Sequence, residues 1–346
     1  MAKRKNLFLP PPKWTLMRLL RTLILFGVFA AAGAACWLAY FALTPVEVAS
    51  RARHFNIEHG SSLRRVAEQL ETEGLISDSW SFLVLARLLG NANDIKAGSY
   101  AVGASVTPHG LLDKIVSGDF AQSELRFIEG WTFLQIRHVL DQHPAVKHDS
   151  AGLSDAQILE RLEVEEKHPE GLFFPDTYHF AAGTSDLTIL KQAYLRMRTK
   201  LEALWENRAK GLPVSSAYQA LILASIVEKE TGRADERDMV AAVFVNRLKR
   251  GMRLQTDPSV IYGLGTSFDG NLRRRDLETD QIYNTYTRYG LPPTPIAMPG
   301  EASIQATLNP ANSPVLYFVG RGDGGHEFSS TLAEHNRAVD KYQRAR

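Results

Sequence analysis

The chain lacks several features that mark common classes of protein. It has a single cysteine among 346 residues, Cys36, so no internal disulfide can form. Gly33 stands three positions before Cys36, where a lipoprotein signal needs an aliphatic residue, so lipidation is not expected. The formal net charge is only +2, and this small excess does not favour nucleic-acid binding through phosphate contacts.

Two catalytic signatures are also missing. The histidines near the C-terminus, such as His326, are not arranged as the H-E-x-x-H pair that binds zinc. Ser225 has no G-x-S-x-G setting, so a serine hydrolase is unsupported. We therefore predict a protein that uses no metal.

The longest uncharged stretch lies near the N-terminus. Residues Thr22 to Leu43 contain no charge and no proline, and this length is close to the ~20 residues that cross a bilayer as a helix. Because only basic charges precede it, the positive-inside rule predicts a single-pass inner-membrane protein with residues 1–21 in the cytoplasm and the rest outside. These basic residues are Lys3, Arg4, Lys5, Lys13, Arg18 and Arg21.

A cleaved signal peptide is the alternative to this anchor, because the alanine-rich stretch from Ala30 to Ala35 resembles a cleavage site. The apolar run continues through Trp37 to Leu43, and this continuation favours a retained anchor.

Beyond a linker over residues 44–52, the pattern predicts a first module over residues 53–120. A strand at Phe55–Ile57 precedes a helix capped by Ser62, and a second helix runs from Trp80 to Gly90. A short strand and a last helix, closed by Gly118, follow. In residues 121–346 helices mix with short extended pieces without regular alternation, which indicates an α+β fold.

The most informative segment is the apolar helix predicted from Leu221 to Glu230, which carries Glu228 and Glu230 in its last turn before Gly232. The negative end of the helix dipole and the apolar neighbours favour a protonated glutamic acid, as a general acid requires. Residues two positions apart point about 200° apart, so only one of the two acids faces a given cleft. Periodicity alone does not choose between them.

Polar and aromatic residues collect downstream, around a proline-rich segment at residues 290–300. Amides, carboxylates and tyrosines suit a sugar, because they bond hydroxyl groups and cover the apolar faces of pyranose rings. Turn formation would use many of the same residue types, so spacing alone leaves both interpretations open.

Together these segments resemble the MltG (YceG-like) family of endolytic murein transglycosylases. The matching pieces are Glu170 to Tyr178, Ala224 to Thr231, Val245 to Leu248, Leu254 to Pro258, Tyr283 to Tyr286, Gly290 to Pro293 and Gly325 to Phe328. The resemblance implies a LysM-like domain at residues 53–120 and a YceG-like catalytic domain at residues 121–346. Thr294 and Met298 depart from the family pattern, which affects the expected loop shape more than the chemistry.

The resemblance implies that Glu228 is the catalytic residue of a lytic cleavage between N-acetylmuramic acid and N-acetylglucosamine. The reaction leaves 1,6-anhydro ends, needs no cofactor, and terminates nascent peptidoglycan strands beside peptidoglycan synthases, the penicillin-binding proteins. The candidates for sugar binding are Gln255, Asp257, Asn284 and Tyr286, and the candidates for a supporting role are Glu230, Asn246, Arg247, Tyr262 and His326. The alternatives are a non-catalytic peptidoglycan-binding scaffold and a hydrolase that leaves reducing ends.

Overall fold

A computed structural model describes residues 13–47, 53–58, 60–120 and 122–344. It divides the chain into two units, Met1–Gln122 and Ser123–Arg346. Lys3, Arg4 and Lys5 of the predicted cytoplasmic tail, and residues 48–52 of the predicted linker, lie outside the described residues.

The predicted apolar helix is present as α1 (Lys13–Leu43). Within it the stretch Met17–Leu43 is long and apolar enough to cross a membrane, so the helix extends further toward the N-terminus than the uncharged run. Its last turn differs from the rest, because Phe41 and Ala42 are buried in the hydrophobic core of the first unit and Leu38 packs at the edge of that core.

The remainder of the first unit contains two antiparallel strand pairs and three helices. Strand β1 (Val46–Glu47) pairs with β4 (Ser105–Val106), and β2 (Arg53–Ile57) pairs with β3 (Gly98–Val102). The helices are α2 (Leu63–Thr72), α3 (Ser79–Leu88) and α4 (Pro108–Ser117). The predicted strands and helices are therefore confirmed, and residues 46–47 of the predicted linker form strand β1. The LysM-like identity of this unit stays a prediction.

The caps predicted for these helices are formed. The Ser62 side chain accepts a hydrogen bond from the Arg65 N–H at the start of α2. Gly118 ends α4 at φ 77°, a left-handed conformation that favours glycine. The ring of Tyr100 fills the centre of this core, stacked on Phe55 at 5.3 Å.

The second unit is the predicted mixture of helices and short strands. Its described strands pair two by two: β5 (Gln122–Arg126) with β7 (Thr177–Ala181), β6 (Val146–Lys147) with β8 (Thr184–Ser185), and β9 (Tyr317–Gly320) with β10 (His326–Ser329). Its helices are α5 (Phe133–Gln142), α6 (Asp155–Arg161), α7 (Asp186–Glu206), α8 (Ala217–Glu230), α9 (Arg237–Lys249), α10 (Asp257–Leu264), α11 (Arg274–Glu278), α12 (Glu301–Leu308) and α13 (Leu332–Val339).

Helix α8 is the central helix of this unit. Every residue from Ala220 to Val227 is buried, and α7, α9, α10 and α12 pack around it. The helix is apolar on all sides, as expected of a helix enclosed by others. The buried Ser225 hydroxyl accepts the Ile296 N–H at 3.0 Å, which fixes the proline-rich segment to α8. The apolar part of α8 therefore places its last turn, with Glu228 and Glu230, in a rigid setting.

Candidate active site

Glu228 lies where α8 ends and α12 begins. Its Oε2 accepts a hydrogen bond from the Gly300 N–H at 3.0 Å and from the Ser303 hydroxyl at 2.7 Å. Gly300 is the N-cap of α12, so the carboxyl group meets one backbone donor and one hydroxyl donor at the positive end of a helix dipole. The side chain is half-buried. Its orientation is therefore set by two donors on another element.

A second carboxyl group approaches the same glycine. A Cβ added at Gly300 would overlap the Glu129 carboxyl, and a Cβ at Gly130 would touch the Glu228 side chain at 3.8 Å. The Gly130 N–H donates to the Met298 carbonyl at 2.8 Å, which holds the loop carrying Glu129 beside the proline-rich segment. The pKa of Glu129 is raised, first by burial and then by the nearby charge of Glu228.

Glu230 faces a different environment, as the 200° angle between the two positions predicts. It lines a cavity of about 550 Å³. The Thr256 hydroxyl donates a hydrogen bond to its Oε1. Burial raises the pKa of Glu230, and the bond from Thr256 opposes this shift.

Most of the predicted site residues share this Glu230 cavity, namely Arg247, Gln255, Asp257, Tyr286 and His326. The Tyr286 hydroxyl donates to Asp257 at 2.5 Å. Gln255 has φ 51°, a left-handed conformation that a side chain rarely adopts. Gln255 and the hydrogen-bonded pair Tyr286–Asp257 form one polar wall of the cavity.

Two further cavity residues are held by other parts of the chain. The buried Arg247 donates through Nε to the Leu316 carbonyl and through Nη1 to the Leu254 carbonyl, both at 2.7 Å. His326 Nδ1 lies 2.7 Å from Glu236 Oε2. Both side chains therefore support the cavity wall.

Three of the predicted site residues form hydrogen bonds with neither Glu228 nor Glu230. The buried Asn284 donates its amide hydrogens to three backbone carbonyls, and its Oδ1 accepts the Tyr286 N–H. Asn246 donates to the Ser313 and Val315 carbonyls. Tyr262 donates to Glu170. The two asparagine amides thus hold loops in place. Asp257 also begins helix α10, with Pro258 in its first turn.

Glu170 is the acid that residue patterns did not single out. It is 3% exposed, and it lines a cavity of about 880 Å³ together with Arg137, His138, Tyr262 and Tyr283. Its Oε1 accepts the Phe133 N–H and its Oε2 accepts the Tyr262 hydroxyl, each at 3.0 Å. Burial raises its pKa to about 7. One signal was available in the sequence, because Glu170 immediately precedes the apolar residues 171–174.

Comparisons with known proteins agree on one family. A family model described as YceG-like matches residues 55–341. The endolytic murein transglycosylase of Bacillus subtilis (strain 168) is 32% identical over 318 residues, which cover 87% of this chain and 88% of that protein. The protein of the same name from Streptococcus pneumoniae is 27% identical over 320 residues, which cover 83% of this chain and 57% of that longer protein.

A solved structure is also similar. The 2.6 Å crystal structure of a YceG-like protein from Listeria monocytogenes superposes with a TM-score of 0.51 at 29% sequence identity. The alignment covers 83% of this chain and 98% of that one.

The raised pKa of Glu170 should make the stability of the folded protein depend on pH. Its folded pKa, about 7, lies above its ordinary value of 4.5, so the folded state binds the proton more tightly than the unfolded state. The stabilisation is complete below pH ~4.5 and is lost as the pH rises to ~7. Glu170→Gln mimics the protonated acid. We expect the variant to be more stable than the wild type above pH 7, by on the order of 3 kcal/mol, and equally stable at pH 4.

Urea unfolding of both proteins in detergent, from pH 4 to pH 8, measures this difference. The exposed Glu165→Gln change is the matched control. A stability difference that does not change with pH would show that the pKa of Glu170 is the same in the folded and unfolded states, which would contradict the raised value.

Proposed function

The chain belongs to the YceG-like family, and we propose that it is an endolytic murein transglycosylase. It would cut peptidoglycan strands between N-acetylmuramic acid and N-acetylglucosamine, without water, and leave 1,6-anhydro ends. The observation that carries this proposal is the oriented Glu228 carboxyl, half-buried at the end of α8 and held by Gly300 and Ser303. The names of the bacillary and streptococcal relatives support the substrate class.

In its simplest form the reaction needs one acid that acts twice. Glu228 protonates the glycosidic oxygen while the bond from that oxygen to C1 breaks. It then accepts the proton of the muramoyl C6 hydroxyl as this oxygen bonds to C1. The proton count of Glu228 is the same before and after the reaction. No second carboxylate has to act as a nucleophile, in contrast to retaining hydrolases.

An endolytic enzyme must hold the strand on both sides of the bond that it cuts. We place a sugar that is remote from the cut in the Glu230 cavity, where Gln255, Asp257 and Tyr286 form the polar wall. Since these residues lie on the other side of the last turn of α8 from Glu228, they would bind the strand rather than take part in bond cleavage.

We propose that α1 anchors the protein in the inner membrane. The basic residues before the apolar stretch would stay in the cytoplasm, and the catalytic unit would work outside it. This location keeps the enzyme beside strands that are still being polymerised. It supports a role in ending strand elongation, in partnership with penicillin-binding proteins.

Glu228→Gln is the direct test of the catalytic assignment. The amide keeps the size of the side chain but cannot donate and accept the proton, so release of anhydro-ended muropeptides from sacculi should fall by at least about 10²-fold. Mass spectrometry of the digests measures these products, and it separates them from hydrolysis products by one water.

Glu230→Gln is the matched control, because it makes the same change two residues away on the other side of the helix. Because Glu230 lines the proposed sugar cavity, the change should act mainly on KM, and kcat for anhydro product formation should stay within about 10-fold of the wild type. Loss of activity in Glu230→Gln alone would transfer the catalytic role to Glu230. Full activity in both variants would exclude both glutamates as the catalytic residue, whereas a wild type that releases no anhydro products would support the scaffold interpretation.

Tyr286→Phe tests the proposed remote sugar site. Losing the hydroxyl removes its bond to Asp257 and one contact for a sugar. If the strand binds there equally in the ground state and the transition state, KM should rise several-fold while kcat stays constant. Kinetics with soluble glycan strands measures both constants. A fall in kcat at unchanged KM would contradict the remote position of this site.

A further inference from the structure

We propose that Glu129 is the partner carboxyl of Glu228 and that the two groups together carry the single proton that the reaction uses. This inference rests on the proposed function and replaces its one-acid form with a pair. Glu129 lies on the loop between β5 and α5, far from α8 in the sequence, and the structure brings it to the residue that binds Glu228.

The geometry of Gly300 shows the approach of the two groups. Its N–H donates to Glu228, and the space where its side chain would be is filled by the Glu129 carboxyl. Gly300 has φ −73°, which any residue adopts, so the backbone does not require glycine here. A side chain at position 300 would instead force the Glu129 carboxyl to move from its place beside the Gly300 backbone.

The loop that carries Glu129 is fixed from both sides. Gly130 donates to the Met298 carbonyl, and the Met298 N–H donates to the Trp131 carbonyl at 2.7 Å. Lys229, next to Glu228, donates to the Gly130 carbonyl at 3.2 Å. The Glu129 side chain is accessible to solvent, although neighbouring atoms partly desolvate its carboxyl. The pair is therefore both positioned and open to a substrate.

The surroundings divide the proton unequally between the two acids. Glu228 receives two hydrogen bonds at the start of α12, and such donors stabilise a carboxylate. The pKa of Glu129 is raised by partial burial of its carboxyl and by the charge of Glu228, against the opposing charge of Arg237. The other charged groups nearby are Lys229, bonded to Gly130, and Glu301, paired with Lys200. We therefore assign the proton to Glu129 before the reaction, because Glu228 already accepts two hydrogen bonds.

With the proton on Glu129, each of the two acids has its own step in the reaction. Glu129 donates its proton to the glycosidic oxygen as the C1–O bond breaks, and Glu228 accepts the proton of the C6 hydroxyl as its oxygen bonds to C1. The pair carries one proton before and one after, and exchange with solvent returns it to Glu129. No oxidant, metal or water is consumed.

Glu129→Gln tests the assignment. The wild type should show a bell-shaped dependence of kcat on pH, in which the alkaline limb reports the acid that must be protonated. The variant should lose about 10²-fold in kcat, with KM and thermal stability unchanged, and its alkaline limb should disappear. Glu124→Gln, an exposed acid on the preceding strand, is the control and should match the wild type.

Gly300→Ala provides a second, independent variant. Its methyl group displaces the Glu129 carboxyl without straining the backbone. It should therefore lower kcat and change the alkaline limb in the same way, and the double variant should lose little more than either single one.

The outcomes separate the two proposals. If Glu228→Gln is inactive while Glu129→Gln keeps kcat within about 3-fold and an unchanged pH profile, the pair is rejected and the one-acid mechanism remains. An active Glu228→Gln variant rejects the catalytic assignment itself.

A different observation supports a second inference, that the outer face of α3 lies on the lipid surface. Helix α3 is apolar on both faces. Phe82, Leu85 and Ala86 are buried in the core, whereas Trp80 is 69% exposed and Leu88 is 71% exposed. A helix that is apolar on all sides is normally covered, by protein or by lipid.

The membrane is the occupant that the structure indicates. The last turn of α1 packs into the same core and contacts α3 and α4. If α1 spans the bilayer, α3 therefore lies close to the membrane surface. Tryptophan is favoured at the membrane interface, and the exposed Arg87 beside Leu88 can reach lipid phosphates. This face extends the membrane contact that α1 begins.

Spin labels on the full chain in nanodiscs of anionic and zwitterionic lipid measure this contact. In a Cys36→Ser background, a label at Leu88→Cys should be relaxed by oxygen and shielded from a water-soluble nickel complex, whereas a label at the exposed Glu71→Cys should show the reverse. Phe29→Cys, within α1, should report lipid. If the nickel complex reaches positions 88 and 71 equally while position 29 lies in lipid, this would falsify the membrane contact of α3 and leave the α1 anchor in place. Nickel access at position 29 would reject the anchor.

Discussion

The hydrogen bonds between Glu228 and the start of α12 are the contacts on which the site depends. They join the negative end of one helix to the positive end of another through a carboxyl group, which Gly300 and Ser303 hold in place. An anion at a helix N-terminus is typically stabilised by about 0.3–1 kcal/mol, and up to ~2 kcal/mol when it is partly buried. These contacts orient the acid before any substrate arrives, which is how positioned groups lower a reaction barrier.

This orientation depends in turn on the apolar part of α8. Because Ala220 to Val227 are enclosed by four other helices, the last turn cannot rotate to exchange the environments of Glu228 and Glu230. The two acids therefore occupy different environments although they are two residues apart. One lies at a helix junction beside Glu129, and the other lines a cavity whose wall is tied by Thr256, Asp257 and Tyr286.

The proline-rich segment connects these two environments. It is bonded to α8 through Ser225 and to the Glu129 loop through Met298, and it leads directly into α12. Proline restricts the backbone of this segment, so the segment keeps little conformational freedom in the folded protein. The departure from the family pattern at Met298 is accommodated, because its side chain is fully buried in the core and its backbone makes both bonds to the loop.

The sequence by itself determined the elements that rest on local patterns. The uncharged run predicted α1, the apolar spacing predicted α8 with two acids in its last turn, and Ser62 and Gly118 marked the ends of helices. Capping, periodicity and run length act between neighbours in the chain, so they can be read without coordinates.

Only the tertiary structure decided which groups meet. Glu228 and Gly300 are 72 positions apart, and no local pattern joins them or brings Glu129 to the same glycine. Asn284 was a candidate for sugar binding because of its amide group. In the structure its amide hydrogens are donated to three backbone carbonyls, because a buried turn needs those donors. Residue type limits the chemistry of a side chain, but its partners depend on how distant segments pack, and that packing is a property of the whole fold.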